Sequence, residues 1–151
     1  MADILIAFAS MSGNTEEMAD LIQSHLDEEH RVTMEEIEDV EVSTLEDYDV
    51  VLLGSYTWND GDLPYEVEYF YDDLEEVNLE GVGAAAFGSG DSIYPQFCES
   101  VYLLEERLKS SGARIITEGW KVDMTPDREE DLERCQAFVQ AVDLFLKKVE
   151  V

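Results

Sequence analysis

Hydrophobic and polar positions alternate along this chain in two distinct periods. Residues 3–10, DILIAFAS, form a nearly unbroken apolar run that ends in small residues, the pattern of a buried strand. From Thr15 the period changes: Met18, Leu21, Ile22, His25 and Leu26 recur at three- and four-residue steps, with Glu16 and Glu17 in the first turn. That spacing predicts a helix of about four turns. RVTMEEI (31–37) alternates weakly and is polar, as an edge strand is. DVVLLGSY (49–56) is a second buried run. TWNDGDLP then leads through Pro64 into a helix with Val67, Phe70, Tyr71, Leu74 and Val77 on one face. VGAAAFGSG (82–90) reads as a strand and DSIYP as a loop. The next helix turns Phe97, Val101, Leu104 and Leu108 inward. ARIITEGWKV (113–122) is the last strand, and Leu132, Cys135, Phe138, Val139, Val142, Phe145 and Leu146 mark a closing helix.

Strands alternating with helices predict an α/β fold built on an open parallel sheet covered on both faces. Right-handed crossovers leave few doubly wound orders, and the expected one is five strands in the order 2-1-3-4-5. In such a sheet the loops after strands one, three and four converge on one crevice at the carboxyl edge.

At 151 residues the chain is read as one domain with a sizeable core, and 45% hydrophobic content excludes disorder. No segment reaches bilayer-spanning length or resembles a secretory signal, so a cytoplasmic setting is expected. Cys98 and Cys135 form no CxxC pair and read as buried, reduced thiols on apolar helical faces. Charge alters the picture most. With 37 acidic and 9 basic side chains the net charge is −28, and no Lys or Arg occurs between Arg31 and Arg107. This argues against nucleic acid or an anionic membrane as partner. Two compatible readings remain: steering toward a basic protein, and a surface suited to high salt.

The three converging loops hold the unusual residues. In Ser10-Met11-Ser12-Gly13-Asn14-Thr15 a strand turns into a helix whose N-terminus offers free N–H donors and the positive end of its dipole. Gly13 allows close approach, while Ser10, Ser12, Asn14 and Thr15 add neutral donors. The loop has no Lys, so it suits a phosphate that is held without reacting. Trp58 in the second loop and Tyr94 in the third add aromatic rings. A phosphate cradle beside two loop aromatics describes a phosphorylated planar ligand. No metal-ligand or Ser–His–Asp spacing appears, and His25 and His30 lie away from these loops in structural positions. A response-regulator receiver would need an acidic pair after the first strand and an Asp after the third; Ser10-Met11 and Gly54-Ser55 stand there.

In these motifs the chain resembles the flavodoxins. The family's phosphate loop is matched by residues 10–15, its Thr-Trp turn by Thr57-Trp58-Asn59-Asp60, and its Gly-Asp-x-x-Tyr by Gly90-Asp91-Ser92-Ile93-Tyr94. The likeness spans 1–151 as a single flavodoxin-like domain, and the last strand lacks the extra loop of long-chain members, so it is similar to the short-chain type. The resemblance implies a three-layer sandwich binding FMN non-covalently. Its phosphate would lie on Ser10, Met11, Ser12, Gly13, Asn14 and Thr15, with Thr57 near the ribityl chain and Trp58 and Tyr94 sandwiching the ring. Backbone around Asn59, Asp60, Asp91 and Cys98 would hydrogen-bond the ring's polar edge, and Tyr56, Gly61, Ser89, Gly90 and Phe97 complete the implied cofactor-binding set. Tyr56 stands where relatives carry a small hydroxyl residue, and Asn59 where Gly is common.

The implied function is a low-potential one-electron carrier, not an enzyme, shuttling between semiquinone and hydroquinone. Asn59 is expected to stabilise the semiquinone less than Gly would, since the turn favours positive φ. Asp60, Asp62, Glu66 and Asp91 are expected to disfavour the anionic hydroquinone. Implied partners are basic-faced redox proteins: a ferredoxin-NADP-type reductase as donor and low-potential enzymes as acceptors, met by a monomer. The alternatives are a flavodoxin-like NAD(P)H:quinone reductase and a dedicated flavin donor for ribonucleotide reductase activation. The first lacks a basic cluster for a second nucleotide.

Overall fold

A computed structural model describes residues 2–11, 13–57 and 61–149. The chain runs β1 (Asp3–Ala9), α1 (Asn14–Leu26), β2 (Arg31–Glu36), β3 (Val50–Ser55), α2 (Tyr65–Asp73), β4 (Gly83–Gly90), α3 (Glu99–Ser110), β5 (Arg114–Ile115), β6 (Trp120–Asp123) and α4 (Glu129–Val149). Short 3-10 turns follow β2 and α2. Every strand pair is parallel, in the order β2-β1-β3-β4-β5, with β6 also on β4. The expected 2-1-3-4-5 order is therefore present.

The period-two pattern of β1 sorts its side chains between two cores. Ile4, Ile6 and Phe8 join Met18, Ile22 and Leu26 of α1 and Phe138, Val142 and Leu146 of α4. Leu5, Ala7 and Ala9 face Val67 and Phe70 of α2 and Val101, Leu104 and Leu108 of α3. β2 is half-exposed, as an edge strand that reads polar should be.

Three expectations are corrected. The last strand is not continuous. Gly83 and Ala84 pair with Arg114 and Ile115, and Phe87 pairs with Trp120. Residues 116–119 thus span a stretch that β4 covers with only Ala85 and Ala86, and the excess bulges outward. Gly119 in the bulge lies so close to α3 that a Cβ would meet Val101 Cγ1 at 2.2 Å. In α4, Leu132 faces solvent at 42% exposure and Asp131 is buried in its stead. The Asp131 carboxylate accepts the Arg128 N–H at 3.3 Å, so the helix start draws an acceptor inward and rotates Leu132 out. Cys98 and Cys135 are buried free thiols as expected, but Cys98 stands at the α3 N-cap with φ 55° rather than on a helical face.

Among the described residues no helix is long and apolar enough to cross a membrane. His25 is exposed. His30 accepts the Ala2 N–H at 3.4 Å and meets Asp143 at 3.0 Å, far along the chain from the three loops.

Candidate functional site

β1, β3 and β4 end side by side, and their loops form the carboxyl edge of the sheet. After β1, the Ser10 hydroxyl accepts the Gly13 N–H at 3.1 Å, closing a tight turn. Gly13 has φ +92°, a conformation that L side chains rarely adopt, and no atom lies within 4 Å of where its Cβ would be. It is the N-cap of α1 and supplies no side-chain acceptor. Among the described residues no side chain caps the first-turn N–H groups, which a helix leaves without internal partners.

Thr15 follows in the first turn of α1. Its side chain is fully buried, 2.7 Å from the Ser89 hydroxyl, and ties the start of α1 to the end of β4. Met11 is exposed at the cradle's rim and Asn14 is half-exposed beside it.

The second loop is fixed through Thr57. Its N–H donates to the Ser89 carbonyl at 3.2 Å, and its hydroxyl lies 2.8 Å from that of Ser100. The Ser100 N–H donates back to Thr57 Oγ1 at 3.2 Å. Tyr56 points toward α2, where its hydroxyl donates to Glu66 at 2.8 Å. Burial first, then that hydrogen bond, pushes the phenol up to about 12, so it remains a donor. Any part Tyr56 plays in the cradle falls to its backbone. Ser12, Trp58, Asn59 and Asp60 lie outside the described residues. Gly61, at φ +99°, lets the second loop lie on the third; a Cβ there would come 2.1 Å from Gln96 Oε1.

In the third loop the Asp91 carboxylate accepts the Ile93 N–H at 3.0 Å and its carbonyl accepts the Tyr94 N–H at 3.1 Å. This turn is clamped from β6. Asp123 accepts the Ser92 N–H at 3.1 Å and its hydroxyl at 2.6 Å, and these bonds, with Arg128, hold its carboxyl below the usual range. The Met124 N–H, at φ 67°, donates to the Gly90 carbonyl at 2.8 Å. Cys98 packs under Gly90, its thiol directed at the carbonyls of Gly88 and Val122. Burial pushes that thiol up to about 12, leaving it neutral and unreactive.

Met11, Thr57, Asp91, Tyr94, Phe97 and Cys98 thus meet in one cleft of about 310 Å³, and Tyr94 is 46% exposed. Sequence reading missed Gln96, which lines that cleft, and Ser100, Asp123 and Met124, which brace it. Ser100 left a signal, a lone hydroxyl on the inward stripe of α3; the others left none. A hollow of about 580 Å³ lies elsewhere, between α3, the bulge and α4. It includes none of the three loops.

The residues present fit a phosphorylated planar ligand: a helix N-terminus behind Gly13 with no side-chain cap among the described residues, and a cleft lined by no Lys or Arg with a half-exposed Tyr94 in it. Placed at the carboxyl edge of a 2-1-3-4-5 sheet, they define a flavin-nucleotide protein of the doubly wound class. The model of the flavodoxin family matches residues 6–138. A probable flavodoxin of Bacillus subtilis is 47% identical over 93% of this chain and 89% of its own. The crystal structure of oxidised flavodoxin 2 from Bacillus cereus is 52% identical with a TM-score of 0.89, covering 93% of this chain and 97% of that one. A short-chain flavodoxin associated with a bacterial microcompartment is 33% identical, also with a TM-score of 0.89, over 93% and 96% of the two chains. The chain belongs to the flavodoxin family. It is an FMN-binding electron-transfer protein and not an enzyme.

Proposed function

We propose that this flavodoxin is a low-potential carrier of single electrons, working between its two reduced levels and passing electrons from a reductase to low-potential acceptor enzymes. The observation that carries the reading is the cation-free cradle at the α1 N-terminus opening into the cleft of Tyr94. FMN, when bound, supplies one-electron redox chemistry.

The α1 N–H groups with Ser10, Met11, Ser12, Gly13 and Asn14 would hold the phosphate, braced from behind by Thr15 and Ser89. Thr57 and the Tyr56 backbone continue that wall toward the ribityl chain. Tyr94 and Trp58 would flank the ring, and Phe97 would close the cleft. The backbone of Asn59, Asp60, Gly61, Gly90, Asp91 and Cys98 would meet the ring's polar edge. No Lys or Arg stands between residues 32 and 106, and Asp62, Glu66 and Asp91 lie in or beside these loops. Added negative charge in the cleft is therefore disfavoured, which lowers the potential of the second electron. Asn59→Gly is expected to raise the share of protein found at one-electron reduction. The same acidity steers basic-faced partners, such as ferredoxin-NADP-type reductases, toward a monomer in the cytoplasm.

An anaerobic potentiometric titration of the FMN-loaded protein, followed by visible absorption, tests this. Two separate one-electron steps are expected, the second below that of free FMN. A single concerted two-electron step, or bleaching by NAD(P)H alone, overturns the reading.

A further inference from the structure

Tyr65 and Tyr69 stand one turn apart on α2, 71% and 62% exposed, with their rings edge-to-face at 5.6 Å and their hydroxyls 3.1 Å apart. Beside them runs a groove of about 300 Å³ between α2 and the segment after β2, floored by Val40, Val42 and Phe70. Glu38, Glu66 and Asp73 rim it. Among the described residues the carboxylates of Glu38 and Asp73 make no hydrogen bond or ion pair. α2 begins just past the second cofactor loop, and the segment after β2 leaves the same carboxyl edge of the sheet, so the groove borders the cofactor crevice.

An apolar floor, two exposed aromatic rings and a carboxylate rim together match one kind of side chain. A long aliphatic stem lies along the floor while its cationic head meets ring faces and carboxylates. α2 shows the same chemistry satisfied from within: Arg107 lies 4.0 Å from the ring centre of Tyr71 and pairs with Glu75 at 2.7 Å. Among the described residues the cation–ring contact of α2 is that of Arg107 with Tyr71, and none lies over Tyr65 or Tyr69. The groove is at the bottom of the range of about 300–1,000 Å³ that small-molecule pockets span.

We propose that this groove anchors a lysine or arginine side chain of the basic protein that exchanges electrons with this carrier. It rests on the proposed function and adds the contact that sets partner register. Charge around the crevice attracts a basic partner from any direction, whereas a ring-lined groove beside the crevice fixes its angle.

The test uses the FMN-loaded protein, reduced anaerobically and mixed by stopped flow with the basic haem protein cytochrome c as probe. The Tyr65→Ala/Tyr69→Ala pair is expected to lower the second-order rate roughly tenfold, from the loss of desolvated cation–ring contact. The Tyr65→Phe/Tyr69→Phe pair keeps the rings and should stay within about twofold of the parent. Both pairs should retain the parent's FMN spectrum and potentials. A parent rate retained by the alanine pair overturns the anchor, as does an equal loss in the phenylalanine pair, which would assign the effect to the hydroxyls. A parent rate independent of salt would instead overturn the basic-partner reading beneath it.

Discussion

The hydroxyl pair of Thr15 and Ser89 ties the cradle to the sheet, and its removal has a calculable consequence. The two oxygens are 2.7 Å apart, 74 residues apart in sequence, with Thr15 fully buried and Ser89 4% exposed. Thr15→Val keeps the shape and removes one partner, leaving the Ser89 hydroxyl unpaired where water does not reach. That costs about 1–3 kcal/mol, most of it the desolvation of the orphaned group. With a urea m-value of about 2 kcal/mol/M, the unfolding midpoint should fall by roughly 0.5–1.5 M. Removing both hydroxyls, as Thr15→Val/Ser89→Ala, leaves nothing unpaired, so the double variant should regain at least about 1 kcal/mol relative to the sum of the singles. Urea unfolding followed by circular dichroism, with and without saturating FMN, reads this cycle. FMN affinity should track stability, because the hydroxyl supports the cradle from behind. Strictly additive costs would refute the tie. A double variant that regains stability but binds FMN as poorly as Thr15→Val would show instead that this hydroxyl reaches the phosphate.

Other consequences follow from neighbouring contacts. A Cβ on Gly88 would lie 2.2 Å from the Ser55 carbonyl oxygen and 2.7 Å from Val101 Cγ2. Gly88→Ala should therefore cost about 1–3 kcal/mol or more in thermal or urea unfolding, because backbone on one side cannot move aside. Asp123→Ala frees the turn that carries Tyr94 and should weaken FMN binding by fluorescence titration; Asp123→Asn, which keeps an acceptor for the Ser92 N–H, should fall between it and the parent. Burial pushes the Cys98 thiol up to about 12 and that of Cys135 to about 11, against 9.0 for an unperturbed thiol. The unfolded chain thus gives up these protons first, so stability should fall as pH rises above 9 and stop falling only near 12. Cys98→Ala/Cys135→Ala should flatten that slope in urea midpoints taken across the alkaline range.

The sequence by itself determined the alternation of strand and helix, the two-faced sorting of β1 and the placing of three chemically unusual loops after three strands. These are local properties. Side-chain period, the φ preference of Gly13 and the free N–H groups of a helix start act over a few residues, so they can be read without neighbours. The absence of any cation from 32 to 106 was equally plain, because charge needs no fold to be counted.

Only the tertiary structure decided which residues brace those loops. Thr57 meets Ser100 across 43 residues, and Ser92 meets Asp123 across 31. Nothing in the local pattern of either segment specifies its partner. The same holds for Tyr56, whose hydroxyl turns to Glu66 and away from the cradle, and for the bulge at 116–119, set by how closely Gly119 packs on α3. At the start of α4, periodicity left Asp131 and Leu132 one step apart on the same helix, and a backbone N–H in need of an acceptor turned the acid inward. The physical reason is common to all of these. A hydrophobic period fixes which face of an element is buried, but a buried polar group is settled only by the partner that the assembled fold brings within hydrogen-bond reach.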